Sequence, residues 1–229
     1  MTISVYPTLL NYWQDFCNQK GYEKQGEEIL FIPDEQAMLD KINRKDRVTT
    51  EAMQRGIDFE DYVLGRKPCP SGPIEAPVTE VKRILPKRGM DNKLTYGVYG
   101  TEKLDIIIYG YMDYLVSGAI FDIKSIGRYD EVNKYANSHQ LWYLRNMEPF
   151  GFRKMCFVVE NNNNVFVETY DRKEIDWVLL WGEISLLTEF LQDNRDKILD
   201  QRIFTDVTTD RKFTDCFRYD YRRRETHFL

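Results

Sequence analysis

Apolar residues recur at helical spacing from Asp34 to Leu64, in two segments that break near Lys45. In the second, "TTEAMQRGIDFEDYVL", Thr49 or Thr50 stands where a helix cap belongs. Met53, Ile57, Glu60 and Leu64 then follow on one helix face, with Ala52, Phe59 and Val63 beside it. The pattern sets one carboxylate, Glu60, on the apolar side of that helix. Residues 65–77, "GRKPCPSGPIEAP", carry four prolines and two glycines and predict a connecting loop. Alternating apolar runs then predict strands over 94–99, 104–115 and 119–124, the last two joined by a turn at Ser117-Gly118. A helix is predicted over 131–147. A second hairpin, 152–160 with 165–170, turns through the polar run Asn161 to Asn164. Residues 173–198 have the aliphatic content of a further helix. The first 34 residues mix short apolar clusters with Gly21 and Gly26 and reach Pro33, a pattern of irregular chain with one short helix. The end, "YDYRRRETHFL", is basic and reads as exposed. No repeat and no second domain is legible, so the 229 residues read as one α/β domain.

Composition narrows this picture. At 42% hydrophobic and 30% charged, the chain has the make-up of a folded soluble protein. Its 32 basic and 37 acidic residues give a net charge of −5, which excludes a chain coated in positive charge. A nucleic-acid enzyme stays open, since a metal site needs carboxylates and a basic footprint can be local. Cys17, Cys69, Cys156 and Cys216 form no CxxC pair, so neither a zinc ribbon nor a disulfide framework is indicated. The opening "MTISVYPTLLNYW" has no basic start and no long apolar core, and no run nears the ~18 apolar residues of a membrane span. A cytoplasmic protein with no membrane partner is expected.

The chemistry lies in "GYMDYLVSGAIFDIKS", residues 110–125, where three ionisable groups interrupt an apolar and aromatic run. Strand alternation puts Asp122 and Lys124 on one face, with Ile123 on the other. A hairpin centred on Ser117-Gly118 sets Asp113 opposite Asp122. Two carboxylates that close repel unless a proton or a cation sits between them. A hard divalent ion such as Mg²⁺ suits an oxygen donor set, and Glu60 can approach the same point from its helix. Lys124 beside such a centre can orient a water or stabilise charge on a phosphoryl group. A D-x-K triplet is also common, and an ion pair at a sheet edge accounts for it without function.

"GYMD", then "FDIK", then a helix bearing "HQLWYL" resembles the PD-(D/E)XK nuclease superfamily, most closely its RecB-like, phage-exonuclease-like and Cas4-like branch. The resemblance covers residues 50–145. It implies a central mixed β-sheet flanked by helices in a restriction-endonuclease-like core, and Mg²⁺-dependent DNA cleavage in which Mn²⁺ can substitute. The whole of 1–229 is then a single nuclease domain, with 1–34 an N-terminal extension and 210–229 a C-terminal tail. Asp113 matches the first acidic metal ligand, in the form where Gly-x-x-Asp replaces Pro-Asp, and Asp122 and Lys124 match the ends of the (D/E)-x-K triplet. The carbonyl of Ile123 usually completes the coordination, and Glu60 matches the helical acid upstream. Gln140 and Tyr143 match the downstream Q-x-x-Y motif beside the active site. Cas4-type enzymes hold an iron–sulfur cluster on one cysteine before the core and three close together after it. The four cysteines here are not so placed, and no cluster is expected. His139, next to Gln140, reads as a structural or solvent-facing side chain rather than a general base.

Lys82, Arg83, Lys87, Arg88 and Lys93 precede the strands and can hold the DNA backbone without reading bases. Arg222, Arg223 and Arg224 can do the same or form a solvated tail. The implied activity is a deoxyribonuclease, an exonuclease ahead of an endonuclease. The implied partners are DNA and, for end specificity, a second copy of the chain or a recombination or repair protein. The alternative is a catalytically inactive DNA-binding or assembly protein on the same fold.

Overall fold

The structure is a computed structural model. It describes residues 1–19, 22–24, 27–31, 34–45, 49–100, 104–129, 132–214 and 216–221, with the backbone alone for 22–24 and 27–31. Arg222 to Arg224, Gly21, Gly26 and Pro33 lie outside the described residues. In chain order the elements are β1 (Thr2–Val5), α1 (Pro7–Cys17), β2 (Tyr22–Lys24), β3 (Glu27–Phe31), α2 (Glu35–Ile42), α3 (Glu51–Val63) and α4 (Glu75–Ile84). There follow β4 (Met90–Gly100), β5 (Asp105–Val116), β6 (Ala119–Ser125), α5 (Trp142–Met147), β7 (Lys154–Asn161), β8 (Asn164–Asp171), α6 (Trp177–Asp193) and β9 (Phe217–Asp220).

The strands β8-β7-β6-β5-β4-β9 lie side by side in that order, and β1 adds to β5, making a seven-stranded sheet; β2 and β3 form a separate pair. β4–β5, β5–β6 and β7–β8 are antiparallel, whereas β1–β5, β6–β7 and β4–β9 are parallel. The architecture is thus a mixed β-sheet core flanked by helices. On one face, side chains of α1, α2, α5 and α6 pack with Ile106, Ile108, Met112, Leu115, Ile120 and Phe157 into the main core. On the other, Phe59 and Val63 of α3 and Val78 and Val81 of α4 pack on Phe121, Ile123, Cys156 and Val158. Among the described residues no helix is long and apolar enough to cross a membrane.

Several elements differ from the pattern reading, each for a long-range reason. Residues 2–5 and 7–17 are a strand and a helix rather than largely irregular chain, because Ile3 and Val5 are buried where β1 lies along β5. α4 begins inside the proline-rich stretch: Pro77 sits in its first turn, where a missing N–H costs nothing. The helix predicted over 131–147 shrinks to α5, preceded by a 3₁₀ turn over His139–Leu141 and by turns over 132–137. The Lys134 and Tyr135 amides donate instead to the Glu168 carboxylate, at 3.1 Å each. α6 spans 177–193 rather than 173–198, capped by Asp176 on the Leu179 amide at 3.0 Å. Residues 217–221 are no exposed tail. β9 pairs with β4, and Tyr221 is buried in a stack on Tyr99 with ring centroids 4.8 Å apart.

α3 also turns a different face inward. Met53 and Ile57 are 56% and 47% exposed, while Phe59 and Val63 are buried. Gly56 shares the buried row and approaches Ser125 of β6: a Cβ there would lie 3.9 Å from the Ser125 carbonyl oxygen. The helix cap is Thr50, whose hydroxyl accepts from the Met53 amide at 3.2 Å.

Candidate active site

β5 has β4 along one edge and is shared on the other, where β1 pairs with residues 105–108 and β6 with residues 114–116. Between those two partners, residues 109–113 face a fork in the sheet. The pleat skips a step here. Met112 and Leu115 both reach the main core although they are three apart, and the β4–β5 ladder lacks the 92–113 pair. Within the gap Asn92 takes a left-handed φ of 49°, while the register is the same on either side. Asp113 therefore points to the main-core side, in step with Leu115. Its Oδ2 accepts from the Ile123 amide at 2.7 Å, closing the fork with a side chain where a ladder bond would otherwise lie.

On β6, Ile120 faces the main core and Phe121 and Ile123 face α3, so Asp122 and Lys124 share the Ile120 side. The pairs Tyr114–Phe121 and Val116–Ala119 set the register that brings Asp113 opposite Asp122. Asp122 is only 4% exposed. Lys124 Nζ stands 2.7 Å from its Oδ2, a largely buried ion pair. In an extended strand a residue's N–H and C=O point to the same edge, so the Ile123 carbonyl also faces the fork.

The electrostatics follow from this crowding. Burial and then the Asp122 charge push the Asp113 carboxyl well above its ordinary value, against the pull of Lys124 and the Ile123 amide, with Glu60 adding a smaller push. Burial works against the Lys124 charge, but Asp122 and Asp113 outweigh it and hold the ammonium above its ordinary value. Burial foremost, with both aspartates, raises the Tyr143 phenol. The raised Asp113 carboxyl thus faces the Asp122–Lys124 ion pair.

Tyr143 reaches the site because position 110 has no side chain. A Cβ on Gly110 would lie 2.4 Å from the Tyr143 hydroxyl oxygen and 2.8 Å from its ring. The glycine of "GYMD" and the tyrosine of "HQLWYL" are thus packed against each other. Gly110→Ala is expected to cost about 1–3 kcal/mol through overpacking. Its denaturant midpoint should fall, and Tyr143→Phe in the same chain should restore part of the loss.

The other expected residues are placed differently. Gln140 is buried in the 3₁₀ turn, where its Oε1 accepts from Asn11 Nδ2 at 2.6 Å and from the Ser138 hydroxyl. It ties this segment to α1. His139 is structural: fully buried, with Nε2 2.8 Å from Glu183 Oε2 and its amide on Asn11 Oδ1. Glu60 is held by Arg66 at 2.8 Å, and among the described residues no three His, Cys, Asp or Glu side chains gather as a ligand set. It stands near Asp113 as a charge without joining the two aspartates. Arg66 also reaches Asp91 at 3.5 Å.

The basic residues do not form one strip. Arg83 pairs with Glu80 on α4 at 2.7 Å, Arg88 occupies a left-handed turn position and Lys93 lies on β4 opposite Met112. Lys82 and Lys87 border a cavity of about 270 Å³ with Leu64, Leu85, Asp91 and Tyr114. Tyr114 follows Asp113 directly and closes the turn over 86–89, donating to the Pro86 carbonyl at 2.5 Å and accepting from the Gly89 amide at 2.7 Å. A residue that the pattern did not single out stands beside the carboxylates, Tyr135, and its amide is held by Glu168, two strands from Asp122. The stacking of Tyr135 on Phe157, the lateral neighbour of Asp122, is the sign of it.

No protein-family model matches the chain, and no curated protein matches it. Among solved structures, one described as "Crystal structure of SSO0001" aligns with 64% of this chain and 81% of its own, at 12% identity and a TM-score of 0.36. A likeness at that level carries no argument.

Proposed function

We propose that this protein is a divalent-metal-dependent nuclease that hydrolyses DNA phosphodiester bonds, with the mixed sheet acting as a restriction-endonuclease-like core. One observation carries the reading. Asp122 is a buried carboxylate set opposite a second carboxylate, Asp113, and 2.7 Å from the Lys124 ammonium. Two carboxylates forced together cost stability, and a site that must hold a cation is a physical reason to keep them.

The donors fit such an ion. Asp113, Asp122 and the Ile123 carbonyl offer oxygen alone, the preference of Mg²⁺, and Mn²⁺ accepts the same set. When bound, the ion supplies Lewis acidity toward a phosphate oxygen and lowers the pKa of water. The chain's own residues do the rest. Asp113 and Asp122 would hold the cation as carboxylates, its charge offsetting their mutual repulsion. Lys124, kept cationic by its two aspartates, contacts a non-bridging phosphate oxygen, orients the attacking water and stabilises the charge that develops. Tyr143 walls the main-core side and keeps bulk water out. Lys82 and Lys87 hold the DNA backbone without reading bases.

The test follows end-labelled linear duplex and covalently closed circular DNA with Mg²⁺, Mn²⁺ or EDTA, comparing wild type with Asp122→Asn. Metal-dependent loss of linear DNA alone, absent in the variant, is the expected result and marks an exonuclease. Nicking of the circle makes the enzyme an endonuclease. DNA binding with no cleavage under any metal condition overturns the enzyme in favour of a binding or assembly protein.

A further inference from the structure

Three strands line up a row of side chains on the main-core face. Asp122 pairs in register with Phe157, and Phe157 with Glu168. Tyr135 lies flat over the middle of this row, its ring stacked on Phe157 at a centroid distance of 4.4 Å and an interplanar angle of 10°. Neighbouring strands are about 4.8 Å apart, so the phenol is beside Asp122 and Lys124. Its ring is half-buried, yet among the described residues its hydroxyl makes no hydrogen bond. The hydroxyl is not among the buried atoms that lack a partner, so it stays open to the solvent from which a substrate arrives, within electrostatic reach of Lys124 and Asp122. It is left for something that enters the site.

The segment that carries Tyr135 is held by one carboxylate. Glu168 lies on β8, the sheet's last strand, and is 7% exposed. It accepts from the Tyr129 hydroxyl at 2.5 Å, from the Lys134 and Tyr135 amides at 3.1 Å each, and from the Tyr170 hydroxyl. Burial pushes its carboxyl up, but these four donors outweigh burial and hold it below its ordinary value, so it is a full acceptor at neutral pH. A buried carboxylate occupied by four donors is a demanding way to shape a turn. Tyr129 is fixed as well, stacked on Phe166 at 4.5 Å. The outcome of all these bonds is the position of one phenol.

We propose that Tyr135 is a substrate-contacting residue whose hydroxyl binds the phosphate held at Asp122 and Lys124, and that Glu168 is the positioning residue that keeps it there. This rests on the reading of the site as a phosphodiester hydrolase and adds to it a neutral donor from outside the strands. The hydroxyl donates to a non-bridging oxygen on the side of the phosphate away from Asp113. Lys124 supplies charge, and Tyr135 supplies direction.

The test is single-turnover cleavage of a labelled duplex at saturating Mg²⁺ by wild type, Tyr135→Phe, Glu168→Gln and the double variant. Binding of the same duplex is read by fluorescence anisotropy with Ca²⁺ in place of Mg²⁺. Each single variant is expected to cleave about tenfold more slowly, the loss of one hydrogen bond to a charged group. The double variant is expected to be no slower than the slower single, because Glu168 acts through Tyr135. Thermal unfolding of Tyr135→Phe should match wild type. Cleavage and binding by Tyr135→Phe within about twofold of an active wild type overturn the inference and leave the nuclease standing. Multiplying losses in the double variant overturn the role of Glu168. A wild type that binds but does not cleave overturns the nuclease, and undiminished binding by Tyr135→Phe then overturns the phosphate contact too. A wild type that neither cleaves nor binds overturns both together.

Discussion

Asp122→Asn is expected to lower Mg²⁺-supported DNA cleavage about a thousandfold or more while the fold persists. The side chain keeps its shape, so the buried position beside Phe157 stays filled, and Lys124, 28% exposed in its side chain, can turn to solvent when its partner loses charge. What disappears is one of two carboxylates able to hold a divalent ion. Calorimetric titration of Mg²⁺ or Mn²⁺ into the variant should show the loss directly. Lys124→Gln separates the two roles. It should still bind the ion, since Asp113, Asp122 and the Ile123 carbonyl remain, but cleave about a hundredfold more slowly for want of the charge at the phosphate. If Asp122→Asn cleaved at the wild-type rate, the carboxylate pair would have no part in the chemistry.

Asp113→Asn should have the opposite effect on the fold, raising metal-free stability at neutral pH. Burial and Asp122 hold the folded Asp113 carboxyl well above its ordinary value, whereas in the unfolded chain it titrates near ~3.9. Between those two values the folded state keeps a proton that the unfolded chain has released. The contribution is complete below the unfolded value, drains away as pH rises through the window, and is gone above the folded value. Asparagine has no proton to lose and still accepts from the Ile123 amide. The variant's advantage is therefore nil in acid and full once Asp113 would have ionised. For a chain of this size each kcal/mol relieved appears as roughly 2–4 °C in Tm. Glu168, held low by its donors, works the other way: its stabilising effect is lost as pH falls through its folded value, equally in both proteins. The difference between the two melting curves thus isolates Asp113. Saturating Mg²⁺ should raise the Tm of wild type and not of Asp113→Asn. Equal Tm values for the two metal-free proteins across pH 4 to about 8 would mean that the carboxylates do not strain each other.

The part of this site that depends on local periodicity was readable from the chain. A turn at Ser117-Gly118, with Gly118 at φ 82°, fixes the β5–β6 register, and alternation then brings residue 113 opposite residue 122. What periodicity cannot reveal is which of two helical rows faces inward. Met53 with Ile57 and Phe59 with Val63 have the same spacing, and the second pair is the buried one. Nor does any local signal join Gly110 to Tyr143, or a glutamate on β8 to amides more than thirty residues earlier. A helix is predicted over 131–147, but a carboxylate on β8 takes the amides of Lys134 and Tyr135. The roles of β1 and β9 were hidden for the same reason. Their partners lie far along the chain, in β5 and β4.

That fork has a consequence for the order of assembly. β4, β5 and β6 are joined by short connections and can meet early, whereas β1 must wait for a partner in which Thr2 pairs with Asp105. Closing a loop of that length is entropically slow relative to forming a hairpin. β9 adds a second distant closure, and its end reaches α5, where the Tyr221 hydroxyl donates to the Arg145 carbonyl two residues beyond Tyr143. The facing of the two aspartates thus needs only one hairpin, the β5–β6 pair. Where the pair lies in water, two like charges are cheap; the cost of their crowding comes only with the burial that Tyr143 and its neighbours impose.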